Sequence, residues 1–258
     1  MPLEKAALAK ALEPDPESAN AHIMRAHLKI NYDCDLPGAD NEIREALRLN
    51  PSLAEAPDLF SEYLDDVGRS EESIREGQLA QELDPGGMHT VGVLMAQGQY
   101  DRVIALQHEH LELHPDDGFS YINNSGLVSA YQFAGKKRES VEALQRAWTL
   151  FGFKEIGEGV GKAYASSGHE GALRYSARQM ERLYAEGKVY ESNMTAAWYA
   201  WIGDKEQSLK WIGINLSDNN HCWIDLGRDP AFASFRYDPR FQELAKRAQG
   251  SSQKPASF

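Results

Sequence analysis

Residues 121–151 read YINNSGLVSAYQFAGKKRESVEALQRAWTLF. Leu127, Val128 and Tyr131 fall at spacings that share one helical face. The polar AGKKRES of residues 134–140 supplies a turn. Beyond it, Val141, Leu144, Ala147 and Trp148 form the apolar face of a second helix. A small residue beside a large one lets two antiparallel helices approach closely, as a helical hairpin requires.

Working outward, the punctuation of this stretch recurs. Glycines stand at Gly68, Gly98, Gly135, Gly168 and Gly203, and a proline closes a helix-like run at Pro51, Pro85 and Pro115. Neighbouring glycines in that series lie between 30 and 37 residues apart. A regular period of that size marks a stacked array of helical pairs, each unable to bury its apolar face alone.

The pattern resembles the tetratricopeptide repeat (TPR). Residues 54–85 carry the resemblance on Phe60, Ser61, Leu64, Gly68, Ser73, Gly77, Ala80 and Pro85, and residues 189–215 on Thr195, Ala196, Tyr199, Gly203, Ser208 and Ile212. The resemblance implies an all-α fold, an α-solenoid of helix-turn-helix repeats wound into a right-handed superhelix. The expected organisation is a partial repeat or capping helix over 1–16, about six repeats over 17–228, a capping helix region over 229–248, and a flexible tail over 249–258. Asp238-Pro239 should open the last helix, with Asp as N-cap and Pro in the first turn, running to about Arg247.

Two repeats depart from the pattern. The one near 86–115 has a shortened first helix and places His110 where a small residue is usual. The one near 154–187 carries EIGEGVGKAY, with glycines at helix-interior positions that each cost up to about 1 kcal/mol relative to alanine. Either a close helix contact or a soft hinge would account for them.

The final stretch carries a narrower resemblance. Trp223, Asp229-Pro230 and Asp238-Pro239-Arg240-Phe241-Gln242 look like the closing segment of bacterial proteins in which a TPR array follows an effector. That effector is a winged-helix, TolB-like, adenylate-cyclase-like or kinase domain. The resemblance implies a regulatory or docking module of a signalling or transcription protein. No winged-helix, cyclase or kinase motif appears in these 258 residues.

Charge narrows the partners. The net charge is −12, with 39 acidic against 27 basic residues. Most of the excess lies before residue 100, which disfavours nucleic acid and anionic membranes and favours a basic protein or peptide. No apolar run approaches the roughly 20 residues of a membrane span. The two cysteines, Cys34 and Cys222, read as ordinary thiols. With no signal-like start, the expectation is a cytoplasmic protein.

The catalytic motifs sought are missing: no GxSxG, no phosphate-binding glycine loop and no CxxC. GEGVG at 157–161 has the wrong spacing. His110 and His114 stand at a metal-ligand spacing, but a packed helix at a repeat junction is the plainer reading. We therefore expect no enzyme, no cofactor and no metal.

The resemblance implies that first helices line a concave groove. It points to Glu55, Asp58, Glu62, Asp65 and Asp66 as an acidic strip. It also points to Asn123, Gln132, Phe133, Lys162, Tyr190, Asn193 and Trp201 as further groove residues. Trp211 and Trp223 read as core. The function expected is protein or peptide binding. The alternatives are homodimerisation through the acidic front and aromatic end, and a small-molecule sensor near the fifth and sixth repeats.

Overall fold

The computed structural model describes residues 15, 17–84, 91–113, 120–189, 193–217, 223 and 226–251. The expected helix over 3–12, the turns at Pro85 and Pro115, His114, Tyr190, Cys222 and the end of the tail lie outside the described residues, as does the side chain of Asn123.

All regular structure among the described residues is helical. In chain order it comprises α1 (Ala19–Leu28), a π-turn (Lys29–Asp33), α2 (Leu36–Leu49), α3 (Glu55–Asp66), α4 (Ser70–Leu83), α5 (Val91–Ala96) and α6 (Tyr100–Leu113). There follow α7 (Ser120–Phe133), α8 (Lys137–Leu150), α9 (Lys154–Ala185), α10 (Asn193–Trp201), α11 (Lys205–Ser217), a 3₁₀ helix (Pro230–Phe235) and α12 (Pro239–Ser251). The chain forms two compact units, one of residues 1–93 with 212–258 and one of residues 94–211.

The punctuating glycines work as the sequence suggests. Gly68, Gly98, Gly135, Gly168 and Gly203 all have positive φ, between 67° and 82°. At Gly68, Gly135 and Gly203 the helix closes with the amide after the glycine reaching back five residues. Arg69 N donates to Leu64 O at 2.7 Å, Lys136 N to Tyr131 O at 2.9 Å and Asp204 N to Tyr199 O at 2.9 Å. This closure satisfies carbonyls that a helix end leaves without partners, and it needs a left-handed residue.

A second mark recurs in the same hairpins. Ser140 Oγ donates to the Val128 carbonyl at 3.0 Å, and Ser208 Oγ to the Ala196 carbonyl at 2.9 Å. In α3–α4 the buried Ser61 Oγ donates to the Ser73 carbonyl at 2.8 Å. Each bond ties residues twelve apart across one turn. The serine is small enough to admit the facing helix, and its hydroxyl is satisfied without water.

In the first unit, α1 packs on α2, and α3 on both α2 and α4. Small and branched residues interleave there, with Ala26, Ala46, Ala56, Ile43 and Leu64 fully buried. Each buried leucine or isoleucine contributes roughly 1.5–3 kcal/mol. Ser18 and Asp35 cap α1 and α2, accepting from Ala21 N at 3.2 Å and Gly38 N at 3.0 Å. The π-turn and the left-handed Cys34 (φ 52°) between them have no counterpart in the repeat pattern.

One expectation is corrected here. Cys34 is held in a disulfide, so it is not an ordinary thiol. The sequence offers it one intramolecular partner, Cys222. Cysteines nearly two hundred positions apart give no spacing pattern, so their count alone misleads.

In the second unit α6 packs on α7, α7 on α8, α8 on α9 and α9 on α10. The long α9 is two helices joined at one residue. Gly168 has φ 67° and ψ −164°, outside the helical region. The glycine-rich start of α9 is a close helix contact. A Cβ on Gly157 would lie 2.7 Å from the Gln145 carbonyl oxygen of α8. The described part of α5 has six residues. α12 opens at Pro239, with Asp238 Oδ1 accepting from Arg240 N at 2.9 Å, and runs past Arg247 to Ser251.

Candidate functional site

The glycine-closed turns set the last residues of the helices before them in equivalent places. Phe133 lies two residues before Gly135, and Trp201 two before Gly203. Their rings meet edge to face, with centroids 5.9 Å apart at 85°. Phe133 also stacks on Tyr100 at 5.6 Å and 28°. Such pairs add about 0.5–1.5 kcal/mol beyond their burial. The three rings make a half-buried shelf at the turn ends of α6, α7 and α10.

Two polar atoms of this region are uncommitted. Trp201 Nε1 and Gln132 Oε1 are buried and have no hydrogen-bond partner. A buried unpaired group costs about 1–3 kcal/mol. One is an obligate donor and the other an acceptor. Beside the shelf, Lys136 Nζ donates to Asp101 Oδ1 at 2.7 Å, and that hydrogen bond, followed by the Asp101 charge, raises the lysine's pKa.

The structure thus brings together Phe133 and Trp201, with Gln132 next to Phe133 in sequence, and adds Tyr100. Lys162 is exposed, and Asn193 is half-buried and already engaged. The acidic strip belongs to the other compact unit. Glu55 and Glu62, seven residues apart on α3, are both exposed. Asp58 and Asp66 are half-buried; these two and Glu62 have partners. Asp65 lies 3.6 Å from the Arg228 guanidinium. Trp211 and Trp223 are buried, as core residues should be.

Polar clusters elsewhere hold helices together. Glu181 accepts from Trp211 Nε1 at 2.7 Å and from the Tyr199 hydroxyl at 3.1 Å. Burial, followed by the Glu181 charge, pushes the Tyr199 phenol well above its usual value, so it stays a donor. Between α1 and α2, Glu42 Oε2 lies 2.7 Å from His22 Nδ1 and 3.0 Å from Arg25 Nε. The carboxylate requires a proton on His22 Nδ1, so the 2.9 Å approach of Arg25 Nη2 to that nitrogen is a contact and not a second bond. Burial pushes Glu42 up, but hydrogen bonds from His22 and Arg25 outweigh it and its pKa falls.

His108 Nε2 and the Tyr131 hydroxyl lie 2.6 Å apart, and His110 is also engaged. Among the described residues no group of three His, Cys, Asp or Glu could hold a metal ion. An apolar cavity beside Trp148, Phe151, Met180 and Trp198 measures about 20 Å³, room for one water. Among the described residues no helix is long and apolar enough to cross a membrane.

Sequence could reach Phe133 and Trp201 because they stand in the same phase of the repeat. Tyr100 starts its helix in a different phase, so no periodicity points to it.

The chain matches no protein-family model and no curated protein.

Proposed function

We propose that the chain is a non-catalytic TPR-type module, an α-solenoid that holds an extended segment of a partner protein. The observation that carries the reading is the half-buried Tyr100–Phe133–Trp201 shelf. Aromatic rings are favoured anchors for the side chains of a bound segment. The repeated glycine turns and serine bonds support the solenoid part of the reading. Exposed Glu55 and Glu62 would steer a basic segment toward the module without supplying most of its affinity. By its sequence resemblance, the role is the regulatory or docking part of a bacterial signalling protein.

The test is a pull-down from lysate of the source cell with the native chain, Trp201→Ala and Glu62→Lys as baits, and with each bait's oligomeric state measured by light scattering. A partner captured by the native chain and lost by Trp201→Ala supports the shelf as the site. Equal capture by the native chain and Trp201→Ala refutes it. A native chain that runs as a dimer, which Trp201→Ala separates into monomers, would replace the peptide with a second copy.

A further inference from the structure

The segment that closes the chain holds a second candidate site, in the compact unit that does not carry the aromatic shelf. A pocket of about 230 Å³ opens between the turn after the 3₁₀ helix and one face of α12. Its walls include Gly227, Arg236, Tyr237, Gln242, Ala245 and Lys246. Gln242 and Lys246 are one helical turn apart, so both side chains rise from the same face of α12.

Three observations fix the chemistry this pocket suits. First, its lining carries two cations, Arg236 and Lys246, and no carboxylate. Arg236 Nη2 donates to two neutral carbonyls, those of Arg228 at 2.8 Å and Asp229 at 3.1 Å, and its Nε is buried with no partner. No ion pair joins Lys246 to an acidic residue among the described residues. The nearby Arg240 is different, since its guanidinium is held by Asp238 at 3.2 Å. In a chain of net charge −12, two cations sharing a pocket without a carboxylate stand out.

Second, the pocket has a flat apolar rim. Tyr237 is 84% exposed, the most exposed of the large hydrophobic residues among those described. Third, the lining includes two of the smallest residues, Gly227 and Ala245. A Cβ on Gly227 would sit 3.7 Å from Ala245 Cβ, an ordinary contact, so glycine there leaves space that alanine would fill without strain.

We infer that this pocket binds a small carboxylate carried on a flat apolar body. The carboxylate lies between Lys246 and Arg236, because a guanidinium and an ammonium are both strong donors to an anionic oxygen. Gln242 adds an amide donor from the same helix face. The body of the ligand stacks on the Tyr237 ring and rests against Gly227 and Ala245. A bare inorganic anion would use the cations and leave the ring unused.

The test is a titration of the full chain with benzoate, followed by two-dimensional ¹H–¹⁵N NMR. Benzyl alcohol and inorganic phosphate serve as the uncharged and bodiless controls. Benzoate should shift the amides of residues 226–246 in a saturable way, and benzyl alcohol should not. Lys246→Glu and Tyr237→Ala, both at exposed positions, should each weaken benzoate about tenfold while leaving the spectrum of the rest of the chain in place. Gly227→Ala should weaken it as well, by occupying the pocket. Benzoate that leaves these amides unmoved, or that binds Lys246→Glu as tightly as the native chain, overturns the assignment. Phosphate binding as tightly as benzoate, and unaffected by Tyr237→Ala, overturns it too.

Discussion

Replacing Gly157 and Gly159 by alanine, one at a time, separates two effects that the sequence leaves entangled. Both residues lie in the first half of α9, where alanine is favoured over glycine by about 1 kcal/mol. At Gly157 the new Cβ would meet the Gln145 carbonyl oxygen at 2.7 Å and Thr149 Oγ1 at 2.8 Å. That carbonyl is backbone of α8 and cannot swing away. To reach an ordinary contact the helices must part by roughly 0.7 Å, an overpacking that typically costs 1–3 kcal/mol. The propensity gain offsets part of this, leaving Gly157→Ala destabilised by about 1 kcal/mol. At Gly159 the Cβ would meet the end of the Tyr175 ring, the far end of a half-buried side chain that can turn aside. Gly159→Ala should therefore be neutral or up to about 1 kcal/mol more stable. In thermal unfolding Gly157→Ala should melt lower, by about 2–4 °C per kcal/mol for a chain of this size, while Gly159→Ala holds or rises. If Gly157→Ala is as stable as Gly159→Ala, the close approach of α8 and α9 is not what keeps glycine there.

Three further outcomes are expected. Gly168→Ala meets no neighbour within 4 Å, yet it should cost about 1–3 kcal/mol in urea unfolding, because φ 67° with ψ −164° suits glycine alone. Acid should destabilise the chain in two steps. The pKa of His27 is lowered from 6.5 by burial, so its contribution is whole above 6.5 and is lost as pH falls through the folded value. The pKa of Glu42 is lowered from 4.5, so its contribution is lost further down, and Glu42→Gln should flatten that lower limb in urea midpoints measured against pH. Finally, reduction should lower the unfolding temperature, with a cost of about 2–4 kcal/mol. If Cys34 pairs with Cys222, then Cys34→Ser and Cys222→Ser should each match the reduced chain and should not add; additive losses would refute that pairing.

The parts of the fold legible in the sequence were those where backbone geometry demands one residue type. A left-handed turn asks for glycine, so Gly68, Gly135 and Gly203 could be seen in advance. Asp238-Pro239 announced α12 for a similar reason, since one side chain caps and the other pre-sets the first turn. The glycines of α9 were visible but not their cause, because only the packed structure shows that a carbonyl of α8 lies against Gly157. The π-turn at Lys29–Asp33 and the disulfide at Cys34 left no trace, as neither has a local pattern. At the candidate site, Phe133 and Trp201 could be paired by phase alone. Tyr100 and the unpaired Gln132 and Trp201 atoms depend on which helices face each other, which a repeat motif does not encode.

The serine bonds and glycine turns also define a removable cassette. Excision of residues 136–203 joins Gly135 directly to Asp204, the residue that already follows a left-handed glycine in the native chain. In the shortened protein Ser208 comes to stand twelve positions after Val128, where Ser140 stood, so its hydroxyl finds the same carbonyl. α7 would close on α11 in the manner of α8. That cut leaves the glycine closure and the serine spacing of the joint in register.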